Sequence, residues 1–320
     1  MQVVEVVEAP SVLGLRPSGV QDLPAALLGA GLLGGPGAVR AGRVEAPGYD
    51  PGREGGTGVL NSAGIAEYSV RLADAVGEVL DRGSFPVVLG GDCSILLGNL
   101  LALRRRGRHG LLFLDGHTDF YQPAAEPLGE AASMELALAT GRGPRVLTDL
   151  EGRRPLLRDE DVVAFGFRDS EESARAGMQP LPPELHAMDL GRVRTVGAVA
   201  AARQAVEWLT ADGVAGYWVH LDVDVLDDAV MPAVDYRLPG GLTWPELESV
   251  LGAALSDERA RGLDVTIFNP RLDPDGTIAG RLTECLRRGL SRRFSQFDGP
   301  SGSTSGGPSG GPSGGPSGGS

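Results

Sequence analysis

Cysteine is scarce in this chain. Its 320 residues hold two, Cys93 and Cys285, too few for a disulfide framework, so a reducing compartment is the expected setting. Long apolar runs are missing as well. No stretch approaches the roughly 18 apolar residues that a membrane span requires. The opening Met1-Gln2-Val3-Val4-Glu5-Val6-Val7-Glu8 lacks the basic start and continuous apolar core of a secretory signal. Positive charge is in deficit: 29 Lys and Arg against 42 Asp and Glu leave a net charge of −13, which argues against a nucleic-acid footprint. A cytoplasmic protein with neither a membrane nor a nucleic-acid partner is expected. Apolar material is plentiful, at 42 % of residues, enough for a sizeable core.

From about residue 298 the composition changes to Gly, Ser and Pro with a repeated Ser-Gly-Gly-Pro unit. Such a segment buries almost nothing and reads as a flexible, uncharged coil. This leaves 1–297 as one expected domain and 298–320 as an expected disordered tail. Within the domain, short apolar runs at 3–7, 85–89, 111–115, 162–167, 216–222 and 263–268 read as strands. Amphipathic stretches at 62–81, 94–106, 133–140, 198–209, 244–255 and 276–290 read as helices between them. Alternation without hairpin signals predicts an α/β fold, three layers deep, with a mainly parallel central sheet covered on both faces. In such sheets the working site lies beyond the carboxyl ends of the strands.

The motifs fall at that end. Leu114-Asp115-Gly116-His117-Thr118-Asp119 closes one strand-like run and His220-Leu221-Asp222-Val223-Asp224 closes another. Strand side chains alternate between faces, so an extended chain would put Asp115, His117 and Asp119 on one side, and likewise Asp222 and Asp224. Four carboxylates and an imidazole at one sheet edge repel one another unless a cation neutralises them, which makes a metal centre the first inference. A third motif, Gly90-Gly91-Asp92-Cys93-Ser94, follows the run at 85–89. Its glycines permit a sharp turn, and Asp92 or Ser94 can cap the next helix. Alone it is an ordinary strand-to-helix turn; beside the acidic motifs it becomes a candidate third part of the site. No Gly-x-x-x-x-Gly-Lys-Ser/Thr loop is present, which sets a phosphate-binding domain aside. His109, after three arginines, is expected at the surface, and His186 has no ligand-spaced partner. His220 is expected to be a packed core histidine, with support of the metal centre as the alternative.

Gly-Gly-Asp-(His)-Ser, Asp-x-His-x-Asp and Asp-x-Asp in that order resemble the ureohydrolases: arginase, agmatinase, formiminoglutamase and their relatives. Ala9-Pro10, Gly14, Pro17-Ser18-Gly19-Val20 and Pro24-Ala25-Ala26-Leu27 are similar to the family's opening. Phe165-Gly166-Phe167-Arg168-Asp169 looks like its central strand, and Gly240-Gly241-Leu242-Thr243 and Asn269-Pro270 like its later landmarks. The resemblance implies an arginase-like fold, a homo-oligomer (trimer or hexamer) and two Mn²⁺ ions bridged by a hydroxide. Carried over, Cys93, Asp115, Asp119 and Asp222 would hold one ion. Asp115, His117, Asp222 and Asp224 would hold the other, and Asp119 would orient the nucleophile. Oxygen ligands with one imidazole suit Mn²⁺.

Three departures bear on function. Cys93 stands where the family has His. A thiolate there would be softer and admit Zn²⁺ or Fe²⁺; the site could instead stay empty, giving one ion, or Cys93 could be a neutral packing residue. The relay His is replaced by Ala132, leaving Glu130, Glu126 or water to protonate a leaving group. A solvated or helix-capping role is the expectation for either Glu taken singly. Ile267 occupies the place of the Glu that grips the guanidinium, a loss worth several kcal/mol of recognition unless replaced. Asp235, Arg237 and Glu171 are the candidates for a rewritten substrate-binding set. The expected function is hydrolysis of a C–N bond in a linear amidine or guanidino compound, such as an N-hydroxylated guanidine or a formimino compound. The alternative is a catalytically degenerate relative with a structural metal site and a regulatory or assembly role.

Overall fold

Both parities of the central strands are apolar, and the chain uses each for a different core. The computed structural model describes residues 2–34, 37–211, 213–295 and 318–319. Eight strands, β1 (Val4–Glu8), β2 (Ala38–Arg43), β3 (Phe85–Leu89), β4 (Gly110–Leu114), β5 (Val162–Phe165), β6 (His186–Met188), β7 (Tyr217–Asp222) and β8 (Ala260–Thr266), form one sheet in the order β2-β1-β3-β8-β7-β4-β5-β6. Every pairing in it is parallel. On β4, Leu112 and Leu114 join one core and Leu111 and Phe113 the other. On β7, Val219 and Leu221 join the first and Trp218 the second. Two-sided burial is what a parallel sheet requires.

Helices cover the faces. One layer contains α1 (Leu23–Gly29), and the other contains α2 (Ser62–Asp81), α3 (Leu96–Arg104), α4 (Glu135–Ala139) and α5 (Arg145–Thr148). The short α6 (Ser170–Arg175) follows β5. The first layer is completed by α7 (Leu190–Val196), α8 (Ala198–Leu209), α9 (Trp244–Ser256) and α10 (Thr277–Ser295). In α2 the buried stripe runs Ile65, Leu72, Val76, Val79, the spacing of one helical face. Thr243 and Glu246 form a reciprocal capping box that starts α9. No helix among the described residues is long and apolar enough to cross a membrane.

The expected strands and helices are present with shifted ends, and two strands are additional. Both additions are edge strands. β2 is largely exposed and β6 is three residues long, so neither carries the apolar run that two-sided burial writes into a central strand. His109 is a correction: it is buried, not at the surface. The tail expected at 298–320 lies outside the described residues except for Gly318 and Gly319.

The sheet order opens the site. After β3 the chain passes over two positions to reach β4, and β7 and β8 later fill that gap. The carboxyl ends of β3, β8, β7 and β4 therefore sit side by side, at a reversal of strand order. The loop after β3 is knitted into this rim. Gly90 N–H donates to Val265 O (2.9 Å), Ile267 N–H donates to Gly91 O (2.8 Å), and Asp92 N–H donates to Ser11 O (3.1 Å). A Cβ at Gly91 would overlap the Ser11 carbonyl oxygen, so only glycine fits there. Gly91→Ala should lower unfolding stability by about 3 kcal/mol in urea titration, within the range for overpacking. Gly280→Ala, on α10 with open space around it, should raise stability by roughly 0.5–1 kcal/mol. Equal effects at the two positions would contradict this reading of the rim.

Candidate metal centre

Each acidic motif reaches the rim by a turn. Asp92 caps the 3-10 turn Cys93–Ile95, accepting from Ser94 N–H (2.9 Å) and Ser11 Oγ (2.8 Å), and so takes the capping role open to it. The cap aims Cys93 inward, with Sγ 2.9 Å from Asp222 Oδ2 and 3.2 Å from Thr266 Oγ1. β4 ends at Leu114, and Asp115 Oδ1 immediately accepts from His117 N–H (2.6 Å). Asp119 then takes a left-handed φ of 41°. β7 ends at Asp222, whose Oδ1 accepts from Asp224 N–H (2.8 Å). The expected geometry is thus corrected. These side chains converge through Asx-type turns, not through the alternation of an extended strand.

The two motifs then lock together. Asp224 Oδ1 accepts from Gly116 N–H (3.0 Å), and Asp224 Oδ2 lies 3.0 Å from His117 Nδ1. Arg168 braces the rim by donating to the carbonyls of Asp224 (2.9 Å), Leu226 (3.1 Å) and Leu238 (2.8 Å). Asp115, Asp119, Asp222 and Asp224 are all buried. They are joined by Glu135, which is fully buried on α4 and which sequence reasoning did not select. A lone carboxylate inside the otherwise apolar run Met134-Glu135-Leu136-Ala137-Leu138 was the signal in the sequence.

This concentration of acid distorts every titration in it. Burial, then the Asp224 carboxylate, pushes Asp115 up to about 6. Burial and neighbouring carboxylates hold Asp119, Asp222 and Glu135 well above the carboxylate range and raise the Cys93 thiol. Burial alone would depress His117, but Asp224 and its hydrogen-bond partners hold the imidazole well above its ordinary value. Asp224 is the exception among the acids: burial is the largest influence and raises it, but His117 together with the hydrogen bonds from Gly116 N–H and Asp115 lowers it overall. Asp115 Oδ2, both Glu135 oxygens and His220 Nε2 have no hydrogen-bond partner. Buried polar atoms are rarely left so. Ligand atoms of Asp115, His117 and Asp224 lie within 4.8 Å of one another, as do those of Asp115, Asp119 and Glu135; of Cys93, Glu135 and His220; and of Asp115, His220 and Asp222. The donor set and the orphaned atoms fit divalent cations.

A cavity of about 300 Å³ opens above these groups. Cys93, His117, Asp119, Asp222 and Asp224 line its floor; Leu15, Tyr121, Leu128, Ala132, Tyr236 and Ile267 contribute to its walls. Ala132 and Ile267 thus face the space where the relay His and gripping Glu were expected. Ile267 has a φ of 69°, a strained value for a β-branched residue, held by its hydrogen bond to Gly91.

Three substrate-binding candidates are not in this lining. Glu171 is exposed and paired with Arg175, while its neighbours Asp169, Glu172 and Ser173 reach the cavity. Asp235 accepts from Ser18 Oγ and Asn269 Nδ2. Arg237 lies half exposed against Asp228. Charges in loops of this kind find partners within the protein. Glu126 caps its own turn through Gly129 and Glu130 N–H, but Glu130 is a correction. It is buried in the cavity wall, accepts from Tyr236 OH (2.7 Å) and leaves Oε1 without a hydrogen-bond donor, 3.8 Å from Arg16.

The Arginase family model matches residues 35–287. The arginase of Staphylococcus aureus (strain COL) is 26% identical over 289 residues, 86% of this chain and 93% of that protein. The arginase of Bacillus caldovelox is 28% identical over 285 residues, 85% of this chain and 93% of that protein. The native structure of the Bacillus caldovelox enzyme at pH 5.6 superimposes with a TM-score of 0.80 at 25% identity, covering 91% of this chain and 98% of that one.

Linkage gives the acidic cluster a measurable signature. With Asp115 raised from 3.8 to about 6, the cation-free folded state keeps a proton that the unfolded chain has released. Its stability contribution is therefore present at low pH and lost as pH rises through 6; raised His117 acts in the same direction at higher pH. Adding a divalent cation should raise Tm of chelator-treated protein more at pH 7 than at pH 5. A concentration a hundredfold above Kd should contribute about 2.7 kcal/mol at neutral pH. A Tm indifferent to divalent cations at both pH values would refute it.

Proposed function

This chain belongs to the arginase family, and on that premise we propose that it is a metal-dependent hydrolase cleaving a C–N bond of a linear amidine or guanidino compound. The observation that carries the reading is the buried acidic floor, with orphaned ligand atoms, beneath a cavity large enough for a small polar substrate. Asp115, His117, Asp222 and Asp224 would hold one ion, and Asp115, Asp119, Asp222 and Cys93 would border the second. When bound, divalent cations neutralise these carboxylates and acidify a water to serve as the nucleophile. Mn²⁺ suits the oxygen-rich half of this set, while the thiol allows Zn²⁺ or Fe²⁺ in the other.

The chain's own residues do the rest. Asp119, at the cavity floor, accepts a hydrogen bond from the attacking water and fixes its approach to the central carbon. The nucleophile adds, the amine leaves, and that amine needs a proton. Ala132 cannot supply one. Glu130 can: burial raises its pKa, and its hydrogen bond from Tyr236 holds the carboxyl at the cavity wall. Ile267 removes a fixed negative charge from the expected cation site, which favours substrates whose guanidino or imino group is less basic than that of arginine.

Protein reconstituted with Mn²⁺, Zn²⁺ or Fe²⁺ should release urea, formamide or ammonia from at least one of arginine, agmatine, guanidinobutyrate, N-hydroxyarginine and a formimino amino acid. Asp119→Asn should cut kcat at least about 100-fold. Glu130→Gln should cut it roughly 100-fold and remove the alkaline limb of the pH profile, since a protonated donor is lost as pH rises. Metal-loaded protein with no turnover on any of these compounds would favour the second reading, a retired relative, to which Cys93, Ala132 and Ile267 already point.

A further inference from the structure

His220 is fully buried on β7, and its two ring nitrogens have opposite fates. Nδ1 lies 2.6 Å from Asp264 Oδ2, its register partner on β8, and Trp218 Nε1 donates to the other oxygen of the same carboxylate. In the neutral ring an acceptor-only carboxylate fixes the tautomer, with the hydrogen on Nδ1 and the lone pair on Nε2. Nε2 has no partner. A ring nitrogen of His220 lies within 4.8 Å of ligand atoms of Cys93 and Glu135, and one lies within the same distance of ligand atoms of Asp115 and Asp222. With Nδ1 engaged by Asp264, Nε2 is the nitrogen free to act as a ligand. The ring is held flat against Phe113, with centroids 4.9 Å apart and planes 16° apart. Carboxylate–imidazole pairs of this form are how proteins orient a histidine toward a metal ion.

Glu135 supplies the second observation. It is fully buried on α4, no N–H or hydroxyl group donates to either of its oxygens, and its close polar neighbour is the Asp119 carboxyl. A buried carboxylate whose nearest polar neighbours are other carboxyls is expensive. Both facts are accounted for if Glu135 and His220 face one ion.

We propose that Cys93, Glu135 and His220 form a rebuilt cation site, in which the imidazole expected from the loop after β3 is supplied by the interior of β7. With sulfur, nitrogen and carboxylate donors the site selects a borderline ion of the Zn²⁺ class. The set formed by Asp115, His117 and Asp224 has mostly hard oxygen donors and takes Mn²⁺. The centre is therefore asymmetric, and Asp115 and Asp222 lie between its halves. This rests on the metal-dependent reading above and extends it to His220 and to Glu135, the latter outside the three motifs. The competing arrangement is a protonated His220 acting as a built-in cation beside Asp115 and Asp222, with no second ion.

The test strips the full chain with chelator, reloads it with equimolar Zn²⁺ and Mn²⁺, and measures bound metal by mass spectrometry. Wild type should retain one Zn²⁺ and one Mn²⁺. Glu135→Gln and His220→Asn should each weaken Zn²⁺ retention by at least the roughly 10–100-fold that loss of a supporting partner costs. Both should keep Mn²⁺. Asn preserves a donor toward Asp264, and Glu135→Gln decides alone if the His220 variant does not fold. Cobalt-loaded wild type should show a thiolate-to-cobalt charge-transfer band that Cys93→Ser abolishes. Zn²⁺ retention unchanged in a folded Glu135→Gln variant, or a wild type holding a single ion, overturns the proposal. Amidine hydrolysis with Zn²⁺ binding indifferent to both residues sinks this site and leaves the hydrolase reading standing. Zn²⁺ retention that depends on both residues, without turnover, does the reverse.

Discussion

Mutual repulsion among buried acids is the constraint around which this molecule is organised. Asp115, Asp119, Glu135, Asp222 and Asp224 come from three separate stretches of chain and meet where four parallel strands end. Each is desolvated, and among the described residues the nearby groups able to carry positive charge are His117, His220 and the Arg168 guanidinium behind Asp224. Burial without a counter-charge drives such groups toward protonation, which is the direction of shift at Asp115, Asp119, Glu135 and Asp222. Protonation relieves such an arrangement at low pH; at neutral pH a bound cation would do so, and the donor set suits a divalent one.

The scaffold's peculiarities follow from holding those acids against their repulsion. Gly91 lets the loop after β3 press on Ser11, and Gly116 lets the loop after β4 approach Asp224. Arg168 collects the carbonyls behind Asp224, and Asp92 pins the turn that carries Cys93. Strain is tolerated at the same rim, at Asp119 and at Ile267, because neighbouring hydrogen bonds over-determine the backbone there.

Much of this was legible in residue order. Apolar runs located the six inner and near-inner strands, because a strand buried on both faces has little freedom in composition. Edge strands β2 and β6 escaped for the converse reason. The three motifs located Cys93, Asp115, His117, Asp119, Asp222 and Asp224, though for a partly mistaken reason: turns, not strand alternation, bring them together. Glu135 escaped because one acid in an apolar stretch looks like a defect until its surroundings are known. His220 was noticed, but its role depends on Asp264 across the sheet, a pairing that spacing does not reveal. Glu171, Asp235 and Arg237 illustrate the limit from the other side, since their partners, Arg175, Ser18 with Asn269, and Asp228, are not announced by the sequence.

Anomalous diffraction from crystals grown with Mn²⁺ and Zn²⁺, recorded at both absorption edges, tests the central claim most directly. The account predicts a manganese peak bordered by Asp115, His117 and Asp224, and a zinc peak bordered by Cys93, Glu135 and His220. Crystals grown in excess metal at neutral pH that show no peak, with the carboxyls instead sharing protons with one another and with His220, would contradict it.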